Sequence, residues 1–247
     1  MTEPILEARD LHYSYPDGTE ALRGVSFSVA SGEALAVVGA NGAGKSTLLL
    51  HLNGYLQPSR GELRLKGQPV TPATVGQARR AVGMVFEDPD DQLFMPTVHE
   101  DVAFGPLNFG VPYEEIDQRT SQALAQAGAA HLKDRPPYML SAGEKRAVTI
   151  ATALALQPEI LVLDEPSSHL DPRGRRRLIE LLKALPQTRI VATHDLELVV
   201  EVCSRVIVID SGVIAAVGET VELLNDEELM LAHGLERPHI LRHLHPH

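Results

Sequence analysis

Lys45, Ser46 and Thr47 follow the run Gly39-Ala40-Asn41-Gly42-Ala43-Gly44, and together they spell Gly-x4-Gly-Lys-Ser. That pattern makes a phosphate cradle. Glycines let successive backbone N–H groups turn inward, and a helix N-terminus behind them adds partial positive charge. On this reading Lys45 reaches the β- and γ-phosphates, Ser46 ligates Mg²⁺ and Thr47 touches the α-phosphate. Two adjacent carboxylates, Asp164 and Glu165, close the apolar run Ile160 to Leu163. Asp164 suits the Mg²⁺ shell, and Glu165 suits a general base or an orienter of attacking water. His194 ends another apolar run and can hydrogen-bond both a γ-phosphate and a water. Leu140-Ser141-Ala142-Gly143-Glu144 can open a helix through a Ser141/Glu144 capping box, and such a helix start is a second anion site. Since one chain already has its cradle, Ser141, Gly143 and Glu144 are expected to serve a phosphate held by another subunit.

Elements must bring these groups to one place. Residues 34–38 read as a buried strand and Lys45 to Asn53 as a helix closed by Gly54. Strands are expected at 5–13, 25–29, 62–66 and 82–86, the first two joined through a turn at Asp17-Gly18. The first two make an antiparallel β layer beside the nucleotide core, with Tyr15 placed where it could stack on an adenine ring. From about residue 88 to 156 helical patterns dominate (98–105, 113–128, 143–156), punctuated by Pro106, Pro112 and Pro136-Pro137. That stretch reads as an inserted helical lobe. The fully apolar strand 160–163 follows, then a helix from Pro172, a strand at 189–193 and a helix from Leu196 to Val202. A hairpin of strands 205–210 and 213–217 comes next, and a short helical tail begins near 219. In an open parallel sheet ligands gather at the carboxyl ends of strands, which is where Asp164, Glu165 and His194 fall. The fold class is α/β, a P-loop NTPase (RecA-like) core with an N-terminal antiparallel β layer and an inserted helical subdomain. Residues 1–220 are expected to form the nucleotide-binding domain and 221–247 a helical His-rich tail.

Bulk composition narrows the partners. Across 247 residues, 22 Lys and Arg stand against 33 Asp and Glu, a net charge of −11, so nucleic acid is an unsuitable main partner. The N-terminus has no basic and apolar leader pattern, and no apolar run suffices to span a bilayer. Cys203 is the single cysteine, which excludes an internal disulfide, fits a reducing cytoplasm and reads as a small buried residue on a helix. Five of the eleven histidines (His233, His239, His243, His245, His247) crowd the C-terminus, with His239 and His243 spaced as a possible metal pair against the plainer reading of a solvated end.

The motifs together resemble the ATP-binding-cassette ATPases. Gly39 to Ser46, Leu140 to Glu144, Leu161 to Glu165, Ser168-His169-Leu170-Asp171 and Thr193-His194 occur in that family's order and spacing over roughly residues 4–220. Tyr15 to Thr19, Phe86 to Phe94 and Glu100 to Pro106 look like the energy-coupling-factor subgroup, and within it the ATPases of cobalt and nickel importers. The resemblance implies a head-to-tail pair, a homodimer or a pair with a paralogue, sandwiching two Mg–ATP. Each nucleotide would lie between one chain's P-loop and the other's Ser141/Gly143 turn. Tyr15 would stack on adenine, Asp171 would lie at the seam, and residues 87–104 would wall a groove for a coupling helix of an integral membrane subunit. The chain would then sit at the cytoplasmic face of the membrane. Three positions depart from the pattern. Glu87 stands where the family has a Mg²⁺-ligating Gln, Ala142 replaces the first signature glycine, and His169 replaces a smaller residue. The rival class is a soluble ATP-driven clamp or assembly factor, although the chain lacks the coiled-coil insertion and basic surface of clamps on DNA.

Overall fold

A computed structural model describes residues 3–242. In chain order the first elements are β1 (Leu6–Ser14), β2 (Glu20–Val29), β3 (Ala34–Val38), α1 (Lys45–Leu52), β4 (Arg60–Leu65), β5 (Gln68–Pro69), α2 (Val75–Ala81) and β6 (Val82–Val85). Then come α3 (Val98–Asn108), α4 (Tyr113–Gln126), α5 (Ala142–Leu154), β7 (Ile160–Asp164) and α6 (Pro172–Ala184). The chain ends in β8 (Thr188–Ala192), α7 (Leu196–Val202), β9 (Arg205–Asp210), β10 (Val213–Glu219), α8 (Thr220–Leu224), α9 (Glu227–Ala232) and α10 (His239–Arg242). Its contacts divide it into two compact units, one of residues up to 79 with 188 onward, the other of 80–187.

In the first unit β1 pairs antiparallel with both β2 and β4, and β4 continues to β5. Beside this antiparallel layer, β3 is flanked by parallel β8 and β9, and β9 returns through an antiparallel hairpin to β10. The sequence Ala-Leu-Ala-Val-Val makes β3 apolar at every position, as a strand covered on both faces requires, and all five residues are buried. Register then sets the chemistry. Val37 pairs with Ala192 and Val38 with Val208, so the segments after β3, β8 and β9 leave at one edge.

In the second unit β6 and β7 are parallel, with Val85 opposite Leu163. Helix α5 packs against α3, α4 and β6. Helix α6 starts with Pro172 at its first position and Asp171 as cap, and it buries Leu178, Ile179 and Leu182 while Arg173, Arg176 and Arg177 are exposed.

The sequence expectations place most elements within a few residues, with informative differences. Pro106 does not end α3, which runs on to Asn108. A proline inside a helix lacks the N–H donor, crowds the carbonyl four residues back and clashes with the preceding residue's Cβ; here that residue is Gly105, which has no Cβ, so the last of these costs is absent. The stretch read as a Pro-rich turn after 66 contains β5 and α2. Cys203 is buried, but it caps α7 rather than lying on it, and burial pushes its thiol up to about 12. His243, His245 and His247 lie outside the described residues. Among the described residues no cluster of three or more His, Cys, Asp or Glu is arranged to hold a metal. No helix among them is long and apolar enough to cross a membrane.

Candidate functional site: a phosphate cradle and a carboxylate-bearing edge

The loop between β3 and α1 owes its shape to three glycines with different duties. A Cβ at Gly39 would stand 2.2 Å from the Ile209 carbonyl oxygen, so that position has no room for a side chain. Gly42 and Gly44 take φ of +78° and +106°, in the region that L side chains rarely enter. Gly44 is also the N-cap of α1 and offers no side-chain acceptor to the amides of the first turn. Those amides and the positive end of the helix therefore form a concavity suited to an anion. The Lys45 ammonium folds back over it, donating to the carbonyls of Gly39 (2.8 Å) and Ala40 (3.2 Å). Ser46 is exposed and Thr47 buried. The β9–β10 turn braces the loop from behind, since Gly212 N–H donates to the Ala43 carbonyl at 2.9 Å.

The same unit delivers two more of the expected residues. Thr193 N–H donates to the Val37 carbonyl at 3.1 Å, and the exposed His194 follows at the edge where the loop begins. The Tyr15 hydroxyl lies 2.9 Å from Thr47 Oγ1, which fixes its ring beside the first turn of α1.

The second unit gathers carboxylates. Because Val85 and Leu163 are in register, Glu87 and Glu165 leave the same edge of β6 and β7. Asp164 and Glu165 are both buried, at 6% exposure, whereas Glu87 is exposed. Glu165 has φ of +41°, an uncommon conformation for a residue with a side chain, and such outliers cluster at working sites. Between α5 and this edge lies a residue the sequence reading missed. Arg146, only 2% exposed, donates to the carbonyls of Phe86 (2.7 Å) and Glu87 (2.6 Å). Burial pulls its pKa down, opposed by the nearby charges of Glu87, Asp88 and Asp164. Gln92 adds to the tie by donating to the Thr149 carbonyl at 3.1 Å while its Oε1 accepts from Phe86 N–H.

At the head of α5 the capping box is present. Ser141 Oγ accepts from Glu144 N–H, and the Glu144 carboxylate accepts from Ser141 N–H at 2.8 Å and from the hydroxyl at 2.7 Å. These bonds hold the Glu144 carboxyl below the ordinary range. Ala142 is the first residue of the helix and does not have a positive φ, so a methyl costs nothing there. Asp171 is committed to capping α6, accepting from Gly174 N–H at 2.6 Å. His169 has φ of +63° and is exposed.

A protein-family comparison matches residues 22–168 to the model described as ABC transporter, well over half of the chain. The chain belongs to the ABC transporter family of ATP-binding cassettes. It is 57% identical over 238 residues to a putative ABC transporter ATP-binding protein of Geobacter sulfurreducens, covering 96% of each. It is 46% identical to the energy-coupling factor transporter ATP-binding protein EcfA of Methanothermobacter thermautotrophicus, over 95% of this chain and 77% of that one. Among solved structures it is similar to cbiO1 of Clostridium perfringens, part of the ABC transporter complex cbiONQ, with 39% identity, a TM-score of 0.83 and 98% of each chain covered. The protein is thus an ABC ATPase of the energy-coupling-factor type, and its α/β architecture is the ABC ATPase fold. Arg146 holds the backbone carbonyl of Glu87, at 2.6 Å, rather than its side chain.

Proposed function

We propose that this chain is the ATP-hydrolysing subunit of an energy-coupling-factor importer, and that it closes with a second copy or a paralogue around two Mg–ATP. Hydrolysis then powers entry of a transition-metal ion, cobalt or nickel, through integral membrane subunits, with this chain bound at their cytoplasmic face. The observation that carries the reading is the loop at Gly39–Thr47, where Gly39 lets the loop pack against the Ile209 carbonyl, and two left-handed glycines and an uncapped helix start turn amides into a concavity suited to a polyphosphate.

Each residue then has a task. The loop amides of Gly39 to Thr47, through Ala40, Asn41, Gly42, Ala43 and Gly44, bind the phosphates, and Lys45 exchanges its carbonyl partners for phosphate oxygens. The donor set fits Mg²⁺, a hard cation that takes oxygen ligands: the exposed Ser46 hydroxyl and the carboxylates of Asp164 and Glu87 would hold it. When bound, the ion neutralises charge on the β- and γ-phosphates. Glu165 takes the proton from the attacking water, and His194 hydrogen-bonds water and γ-phosphate together. Tyr15 stacks on adenine. Ser141, Gly143 and Glu144 present their helix start to the γ-phosphate held by the other subunit, and Asp171 lies at the seam. Binding can close the pair only through a higher affinity for the closed state.

The membrane partner is assigned to the second unit. Phe94 and Phe104 stand edge to face at 4.9 Å while remaining 60% and 42% exposed, and Leu107 is 51% exposed nearby on α3. Soluble surfaces seldom spend large apolar residues so close together without a partner. The test is co-purification in detergent with the membrane subunits, followed by uptake of radioactive cobalt or nickel into cells. Phe94→Asp with Phe104→Asp should abolish both while leaving ATP binding intact. Recovery of the soluble chain alone from the wild type would contradict the proposal.

A further inference from the structure

Thr47 is held from two sides by side chains that close on each other. His51, on the last turn of α1, is 1% exposed, and its Nδ1 lies 2.7 Å from the Thr47 carbonyl oxygen. A carbonyl only accepts, so the proton sits on Nδ1 and Nε2 carries a lone pair. That Nε2 is buried and, among the described residues, finds no hydrogen-bond partner. Burial lowers the imidazole's pKa, which keeps the ring neutral and able to pack against an aromatic. The aromatic is Tyr13, on β1, with ring centroids 4.9 Å apart and planes at 76°. Tyr13 in turn meets Tyr15 at 5.1 Å and 86°. The Tyr15 hydroxyl returns to Thr47 Oγ1 at 2.9 Å. Four residues therefore form a closed circuit that begins at the backbone of Thr47 and ends at its hydroxyl.

The circuit has a purpose the helix alone cannot serve. Tyr15 lies just past the end of β1, where its N–H donates to the Thr19 carbonyl and its own carbonyl accepts from Gly18 N–H, both at 2.9 Å; these bonds hold its backbone and leave the plane of its ring to side-chain contacts. The edge of Tyr13 fixes one coordinate of that plane and the Thr47 hydroxyl fixes another. His51 sits behind Tyr13 and stops it from swinging away. We propose that His51 and Tyr13 are positioning residues for the base end of the nucleotide. They set the Tyr15 ring without touching the ligand, the Thr47 hydroxyl serving only as the ring's second anchor. This inference rests on the reading of Tyr15 as the contact to adenine.

A base-specific role predicts a base-specific defect. Binding of Mg–ATP and of Mg–tripolyphosphate, which lacks base and sugar, should be measured by calorimetry on the full chain. Edge-to-face pairs of this kind set the scale, so Tyr13→Leu and His51→Asn should each weaken ATP by about fivefold. The tripolyphosphate affinity should stay within about twofold of wild type, since the cradle is untouched. His51→Asn keeps a donor near the Nδ1 position and so loses the ring rather than the bond to Thr47. Tyr13→Phe keeps the ring and should retain wild-type affinity. Equal weakening of both ligands, or no change in either, would overturn the proposal and leave the cluster as ordinary core. Tyr15→Ala separates the two levels. If it leaves ATP affinity unchanged, the adenine reading itself fails. If it weakens ATP while Tyr13→Leu and His51→Asn do not, only the positioning role falls.

Discussion

At the scale of single residues, the geometry of Glu165 makes a sharp demand. A buried carboxylate on a left-handed backbone, one residue beyond the β7 edge, is costly to maintain and suits a proton acceptor held in one place. Glu165→Gln removes the proposed base while keeping size and hydrogen-bonding capacity. ATP turnover should fall by about 10²- to 10⁴-fold with ATP affinity retained, as single-turnover kinetics and equilibrium binding would show. His51 makes a second demand, on stability. Its folded pKa lies below the ordinary 6.5 because it is buried, so the folded chain refuses a proton that the unfolded chain accepts. Its contribution is therefore complete above about pH 6.5 and is lost as pH falls from there through the folded pKa. Urea midpoints of the wild type should drop across that window more steeply than those of His51→Phe, where the titrating group is gone. Parallel curves would refute it. Neither His51 nor Arg146 stood out in the sequence. The partners of Arg146 are backbone carbonyls some sixty residues away, and nothing local to α5 announces them.

At the scale of elements, local chemistry was readable wherever it was self-contained. Gly39 to Thr47 carries its own strand, turn and helix start, and Ser141 with Glu144 carries both halves of a capping box. A second box, Thr97 with Glu100 at the head of α3, obeys the same rule and lies apart from the phosphate chemistry. Thr97→Ala should lower stability by about 1 kcal/mol, read as a shift of the urea midpoint, with ATP turnover unaffected. Pro106 was misleading because the usual rule treats proline alone, whereas one clash it predicts depends on the residue before it. Gly105 removes that clash, and Pro106 itself is buried in α3 alongside Val98 and Val102. The short β5 and α2 escaped because their sequence has neither periodicity nor length. The Asp101 carboxylate, which accepts from the amides of Phe94 and Met95 at 2.9 Å each, escaped because it works through a loop ahead of its own helix.

At the scale of the whole molecule, the account turns on incompleteness. One chain offers a phosphate cradle at Gly39–Thr47 and a separate helix start at Ser141, and each is proposed to meet its counterpart on another copy. Replacing Glu87 by Gln tests a dependent point, since an amide there should give faster turnover or a lower Mg²⁺ requirement if the extra carboxylate hinders hydrolysis. Unchanged kinetics would make the substitution harmless. The most direct measurement of the central claim mixes two disabled chains. Lys45→Ala removes the cradle's cation and Ser141→Arg blocks the signature turn, so each alone should be inactive. Mixed in equal amounts, half of the pairs would join an intact cradle to an intact turn at one of their two sites, and ATP turnover should recover to about a quarter of wild type. Full activity of the Ser141→Arg chain by itself, or no recovery on mixing, would contradict the account.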